Sequence, residues 1–170
     1  WSQTFDTKHV GTGKTLTPSG SVSDGNSGNN YSVSFVTNTT GVITKKNLTV
    51  TGVTASDKVY DGYDTATVNA SGAALVGVIS PDVVTLDASS AAGTFDTKHA
   101  GNNKTVQVSG LALGGSDSGN YSLTQPTTTA SITKRPISVT AINNSKVYDG
   151  NTSSSGIPII TAGSIAPPRR

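Results

Sequence analysis

Residues 47–55, NLTVTGVTA, set Leu48, Val50 and Val53 among threonines on a beat of two that slips once, near Gly52. A period of two puts alternate side chains on opposite faces, so this stretch is predicted to be a half-buried strand. PISVTAI, 136–142, repeats the pattern, and ATVNA, 66–70, predicts a shorter strand. In ALVGVISPDVVTLD, 74–87, Ser80-Pro81-Asp82 can start one helical turn before VVTLD extends again. GTFDTKHAGNNKTVQVSGLAL, 93–113, reads as a strand, a Gly/Asn turn and a second strand with Val106, Val108, Leu111 and Leu113 inward. NYSLTQP and TTTASITK follow, making about seven or eight short strands with turn signals every 8–12 residues or so, the spacing of a sandwich.

These strands recur. TFDTKHVG at Thr4–Gly11 returns as TFDTKHAG at Thr94–Gly101, and GNNYS ending at Ser32 as GNYS ending at Ser122, both 90 positions on. ITKKNLTVT from Ile43 returns as ITKRPISVT from Ile132, 89 on. DKVYDG at Asp57–Gly62 returns as SKVYDG at Ser145–Gly150, 88 on, and GVISP at Gly77–Pro81 as GSIAP at Gly163–Pro167, 86 on. An offset that shrinks in small steps is what a tandem duplication leaves when it loses single loop residues. One complete unit spans residues 47–135; residues 1–46 match the second half of a unit and residues 136–170 the first half. Two expectations follow from that phase. Either the chain belongs to a longer array, or its two halves complete each other between neighbouring copies by head-to-tail strand addition, since half a sheet leaves an open edge.

The duplicated KVYDG segment is expected to be a structural corner. Asp61-Gly62 and Asp149-Gly150 supply the turn, Asp by bonding to its local backbone and Gly by accepting positive φ. Tyr60, Tyr148, Tyr31 and Tyr121 recur with the repeat and are expected to anchor the core; for Tyr60 and Tyr148 the hydroxyl should bond to backbone, as in a corner tyrosine. Tyr63 and Trp1 fall outside that pattern and are the candidates for surface binding.

Composition narrows the class. Only 33% of residues are hydrophobic and 5% aromatic, too little for one large core and better suited to small thin domains. All 10 acidic residues are Asp, so a favoured helix former is missing while turn and strand formers abound. The fold expected is all-β, a tandem of small Ig-like β-sandwich units of about 90 residues; the alternative is a β-grasp-like unit with one short helix around Ala74–Val84. Net charge is +2 with scattered lysines, which is no nucleic-acid footprint. No apolar run is long enough for a membrane-spanning helix.

KVYDG after an ITK-P-ISVTA strand, followed by GTFDTKHAG-NKTVQVSGLALGGSDSGNYSL, resembles the YDG/MBG-type repeats of large bacterial secreted adhesins. These are filamentous-haemagglutinin-like proteins exported by two-partner secretion. The resemblance implies an extracellular, cell-surface location and a place in a stalk that holds up a binding tip in cell adhesion and biofilm. The implied partners are neighbouring repeat units and host or matrix glycans. It carries no catalytic residue, and a Pro-Pro replaces Pro81-Asp82 near the end of the chain.

Candidates for chemistry are few. His9 and His99, the two histidines, hold equivalent repeat positions and read as strand-end residues. Without Cys, Glu or clustered His an enzyme is hard to assemble, so no catalytic residue and no cofactor is expected. SDGNSGNN, with Asp24, and GSDSGN, with Asp117, offer oxygens of the kind that bind Ca²⁺. Each loop has one Asp, and a tight turn with Asx hydrogen bonds is the plainer reading.

Overall fold

A computed structural model describes residues 1–166. Those residues are almost entirely strand, turn and extended connection, and the fold is all-β. The helix of the β-grasp alternative does not form. Ala74–Val76 is a strand, Ser80 and Pro81 form a turn, and Asp82 donates its N–H to the Ile79 carbonyl at 2.8 Å. A three-residue 3₁₀ turn, Ser118–Asn120, is the only helical element among the described residues. The chain divides into two compact units.

The first unit comprises Trp1–Val50, Ala74–Asp87 and Ala112–Thr124. Its N-terminal sheet is antiparallel, with Gly11–Ser19 between Ser2–Phe5 and Asn38–Ile43, and Phe5 opposite Leu16. A second sheet sets Lys46–Thr51 between Tyr121–Leu123 and Ala74–Val76. The pairing with Tyr121–Leu123 is parallel. Along Lys46–Thr51 the buried residues are Leu48 and Val50, the alternation read from the sequence. Asn47, on the opposite face, bonds to Ser122 and Thr124 through its side chain.

The second unit comprises Thr51–Ala73, Ala88–Leu111 and the chain from Gln125. Its main sheet has five strands in the order Lys58–Val59, Thr127–Thr133, Gly101–Ser109, Ala92–Phe95, Thr65–Ala66. Period two buries Phe95, Val106, Ala130 and Ile132 on one face, and Ala55, Tyr60, Ala66 and Val68 pack against them. Full burial of each large side chain of this set contributes about 1.5–3 kcal/mol. The slip near Gly52 has a local cause. That residue sits at φ +81°, and a Cβ there would run into the Gly72 carbonyl, so the strand breaks before Thr54–Ala55 resumes. Residues 136–166 form a lone hairpin, Ser138–Thr140 with Ile159–Ala162, exposed throughout. The GSIAP copy runs into Pro167, which lies outside the described residues.

Candidate functional site

Two constellations bring polar side chains together. The first is the KVYDG corner. Lys58 Nζ bonds to Asp61 Oδ1 at 3.0 Å and to the carbonyls of Tyr63 and Thr65 at 2.9 Å each. Asp61 Oδ1 also accepts the Tyr63 N–H at 2.9 Å. That N–H bond, with Lys58 beside it, holds the Asp61 carboxyl below the usual carboxylate range. Gly62 is buried at φ +89°. Tyr60 packs on the core, and its backbone N–H donates to the Thr133 carbonyl at 2.9 Å. The corner is thus tied to the sheet by main chain and ring contact, where the sequence pointed to the phenol.

The second KVYDG copy makes the same local clasp. Lys146 Nζ bonds to Asp149 Oδ1 at 2.8 Å and to the Asn151 carbonyl at 2.7 Å, and Asp149 Oδ1 accepts the Asn151 N–H at 3.1 Å. Lys146, and then the Asn151 N–H, hold the Asp149 carboxyl low; Gly150 has φ +74°. Tyr148, however, is 93% exposed, and the expectation that it is a buried anchor is wrong. Burial of the ring needs a three-stranded sheet beneath it, which the hairpin at 138–162 does not supply.

The second constellation lies in the first unit. Asp82 accepts Lys8 Nζ at 2.8 Å on one oxygen and the Tyr121 hydroxyl at 2.8 Å on the other. The Tyr121 oxygen in turn accepts the Ile79 N–H at 3.2 Å. Asn120 Oδ1 accepts the Val10 N–H at 3.0 Å, and its Nδ2 stands 3.3 Å from His9 Nδ1. Lys8 and Tyr121 hold Asp82 below its ordinary range, Asp82 raises Lys8, and burial raises the Tyr121 phenol. Each shift favours the form already dominant near neutral pH, so the trio stands as a charged Lys–Asp pair with a neutral phenol. Beside it opens a cleft of about 380 Å³ with Ile43, Lys46 and Pro81 in its wall.

Of the tyrosines proposed as anchors, Tyr121 is buried and Tyr60 partly so. Tyr31 is 63% exposed, which corrects its assignment; its N–H merely closes a turn onto the Gly28 carbonyl. Its repeat equivalent Tyr121 is buried because a strand, Tyr121–Leu123, forms there, whereas residues 31–37 form none. Tyr63 is about half exposed, and Trp1 is exposed in an edge-to-face contact with Phe35 at 5.8 Å between ring centres. Asp24 Oδ1 accepts the N–H groups of Gly28 and then Asn26, which lower its pKa. Asp117 Oδ2 accepts the Val83 N–H at 2.9 Å. Both carboxylates thus cap turns. Among the described residues no three His, Cys, Asp or Glu side chains converge as a metal site.

The sequence reading missed Lys58, Lys146, Lys8, Asp82 and Asn120. The repeated lysine of KVYDG was a legible signal for the clasp. Lys8 and Asp82 stand 74 residues apart, and no local pattern joins them.

Fold and site together define an all-β protein with two lysine-clasped KVYDG turns, one of which packs its tyrosine on a core. A family model of the YDG domain matches residues 44–130, slightly more than half of the 170-residue chain. The chain belongs to the YDG-domain family. Searches of curated proteins and of solved structures return no match.

Proposed function

We propose that this chain is a non-catalytic stalk module of an extracellular bacterial adhesin, of the filamentous-haemagglutinin-like type exported by two-partner secretion. Its partners would be neighbouring repeat units. The observation that carries this reading is the Lys8–Asp82–Tyr121 and His9/Val10–Asn120 cluster. It fastens a segment outside the YDG domain to loops inside it through side chains rather than a free linker. A joint of that kind resists bending between consecutive modules, the property a stalk requires. The resemblance of the sequence to adhesin repeats supports the same reading, as does membership of the YDG family.

The test is mechanical. Pulling single chains of residues 1–170 should give a stepwise unfolding trace, and Asp82→Ala should lower the force of one step by loosening the joint. A chain that extends without force peaks would overturn the stalk reading. A glycan-binding role has one observation in its favour, the exposed Trp1–Phe35 aromatic pair. Saturable binding on a glycan array, lost in Trp1→Ala, would favour that reading instead.

A further inference from the structure

How two paired strands resist tension depends on which ends are drawn. Parallel strands drawn from opposite ends slide in shear, and their evenly spaced cross-strand bonds carry the load together. Drawn from the same end, they unzip one bond at a time. Each compact unit holds a parallel pairing, Lys46–Leu48 with Tyr121–Leu123 in the first and Lys58–Val59 with Ile132–Thr133 in the second.

In the second unit the chain reaches Lys58–Val59 from Thr54–Ala55, at the strand's N-terminal end. It leaves the five-stranded sheet beyond Thr133, at the C-terminal end of Thr127–Thr133. A pull along the chain therefore draws these parallel partners from opposite ends. Hydrogen bonds flank the short ladder on both sides. The Ser131 N–H donates to Asp57 Oδ1 at 2.6 Å, the Tyr60 N–H to the Thr133 carbonyl at 2.9 Å, and the Thr133 hydroxyl to the Lys58 carbonyl at 3.3 Å. A strand of two residues would still peel if nothing held it from behind, and Lys58 supplies that hold. Its side chain is 18% exposed, and its Nζ bonds to both Asp61 carboxylate oxygens and to the carbonyls of Tyr63 and Thr65. The same Nζ lies 5.6 Å from the centre of the buried Phe95 ring. Thr65 belongs to the strand on the far edge of the sheet, where it pairs with Thr94. One side chain thus ties the two edge strands of the sheet to each other.

We propose that the Lys58 clasp is a mechanical clamp. It holds residues 57–60 rigid against Ser131–Thr133, so that this parallel edge is loaded in shear and sets the force at which the second unit opens. Lys58 is a positioning residue in this device, since it acts through the backbone bonds of Asp57–Tyr60 rather than across the edge itself. The proposal takes the direction of load from the stalk reading and goes beyond it by naming the contact that bears that load.

The chain has no cysteine, so pulling handles can be attached at chosen points. In single-molecule pulling of residues 1–170, handles at Ser56→Cys and Lys134→Cys draw the edge from opposite ends. Handles at Tyr63→Cys and Lys134→Cys draw both strands from their C-terminal ends. All three positions are exposed. The first geometry should open the sheet at roughly three times the force of the second, since three bonds that hold together in shear break singly when unzipped. Chemical denaturation, which has no direction, should find the two handle variants equally stable. Lys58→Met should bring the shear force down toward the unzipping force and move the unzipping force little. A lysine that merely stabilised the fold would lower both alike. Equal forces in the two geometries would overturn the proposal, and so would an equal loss in both for Lys58→Met. Either result is compatible with a stepwise end-to-end trace, so the clamp can fail while the stalk reading stands. An end-to-end trace without force peaks removes the stalk reading and leaves the comparison of the two geometries intact.

Discussion

KVYDG occurs twice, and the two copies part company at a single level of structure. At Lys58–Gly62 and at Lys146–Gly150 the lysine reaches the aspartate three residues on, the aspartate accepts an N–H two residues further, and the glycine adopts positive φ. Tyr60 nevertheless packs on Phe95, Val106, Ala130 and Ile132, while Tyr148 faces solvent. The clasp forms whether or not a sheet lies under it. Burial of the tyrosine depends on the sheet. The same contrast runs through TFDTKHxG. In both copies the lysine on the following strand bonds to the threonine hydroxyl at 2.7 Å, Lys14 to Thr7 and Lys104 to Thr97, yet Phe5 is exposed and Phe95 is buried.

Truncating the phenylalanines should separate the copies most. Phe95→Ala removes a ring from a closed core and is expected to destabilise the second unit by about 3–5 kcal/mol in chemical denaturation. Phe5→Ala, measured at high dilution, is expected to change stability by about 1 kcal/mol or less, because much of the ring already contacts water. Equal losses would mean that the N-terminal sheet is covered in solution.

The tyrosines should show the same sign at smaller scale. Tyr60→Ala is expected to cost about 2 kcal/mol, below the range for a fully enclosed ring since Tyr60 is only partly buried. Tyr148→Ala should stay within about 0.5 kcal/mol, as for ordinary surface positions. Circular-dichroism melts of the two variants side by side would check this, and a larger loss at Tyr148 would break the comparison.

The smallest difference concerns acid. The folded structure holds both Asp61 and Asp149 below the usual carboxylate range. Such a group adds stability above its unfolded pKa of about 3.9 and loses it as pH falls through the lower folded value. Asp61→Asn should therefore flatten the fall in stability of the five-stranded sheet below about pH 4, since a folded-state shift to lower pKa is what makes that fall. Asp149→Asn should leave the sheet's acid transition unchanged, because its clasp sits on an exposed hairpin segment. Fluorescence-monitored acid titrations would distinguish the two.

Much of the fold was legible because its rules are short-range. Leu48 and Val50 are buried where alternation put them, the slip near Gly52 marks a real break, and Val106, Val108 and Leu111 point inward. What escaped the sequence reading needed a distant partner. The parallel pairings of Lys46–Leu48 with Tyr121–Leu123 and of Lys58–Val59 with Ile132–Thr133 join segments whose apolar periodicity is the same for parallel and antiparallel neighbours. Lys8, Asp82 and Tyr121 show no common pattern at all, and only the folded chain brings them to one point.

By itself, then, the sequence determined the turns and both lysine clasps, since each closes over a few residues and the entropy lost in so short a loop is small. The contrast between Tyr60 and Tyr148 was decided by tertiary structure alone. The Lys58 carbonyl meets the Thr133 hydroxyl across 75 residues, and such a contact forms only where a complete three-stranded sheet already stands to receive it. Two identical pentapeptides therefore share one local conformation, and whether the ring between lysine and aspartate is buried is set by which strands reach it.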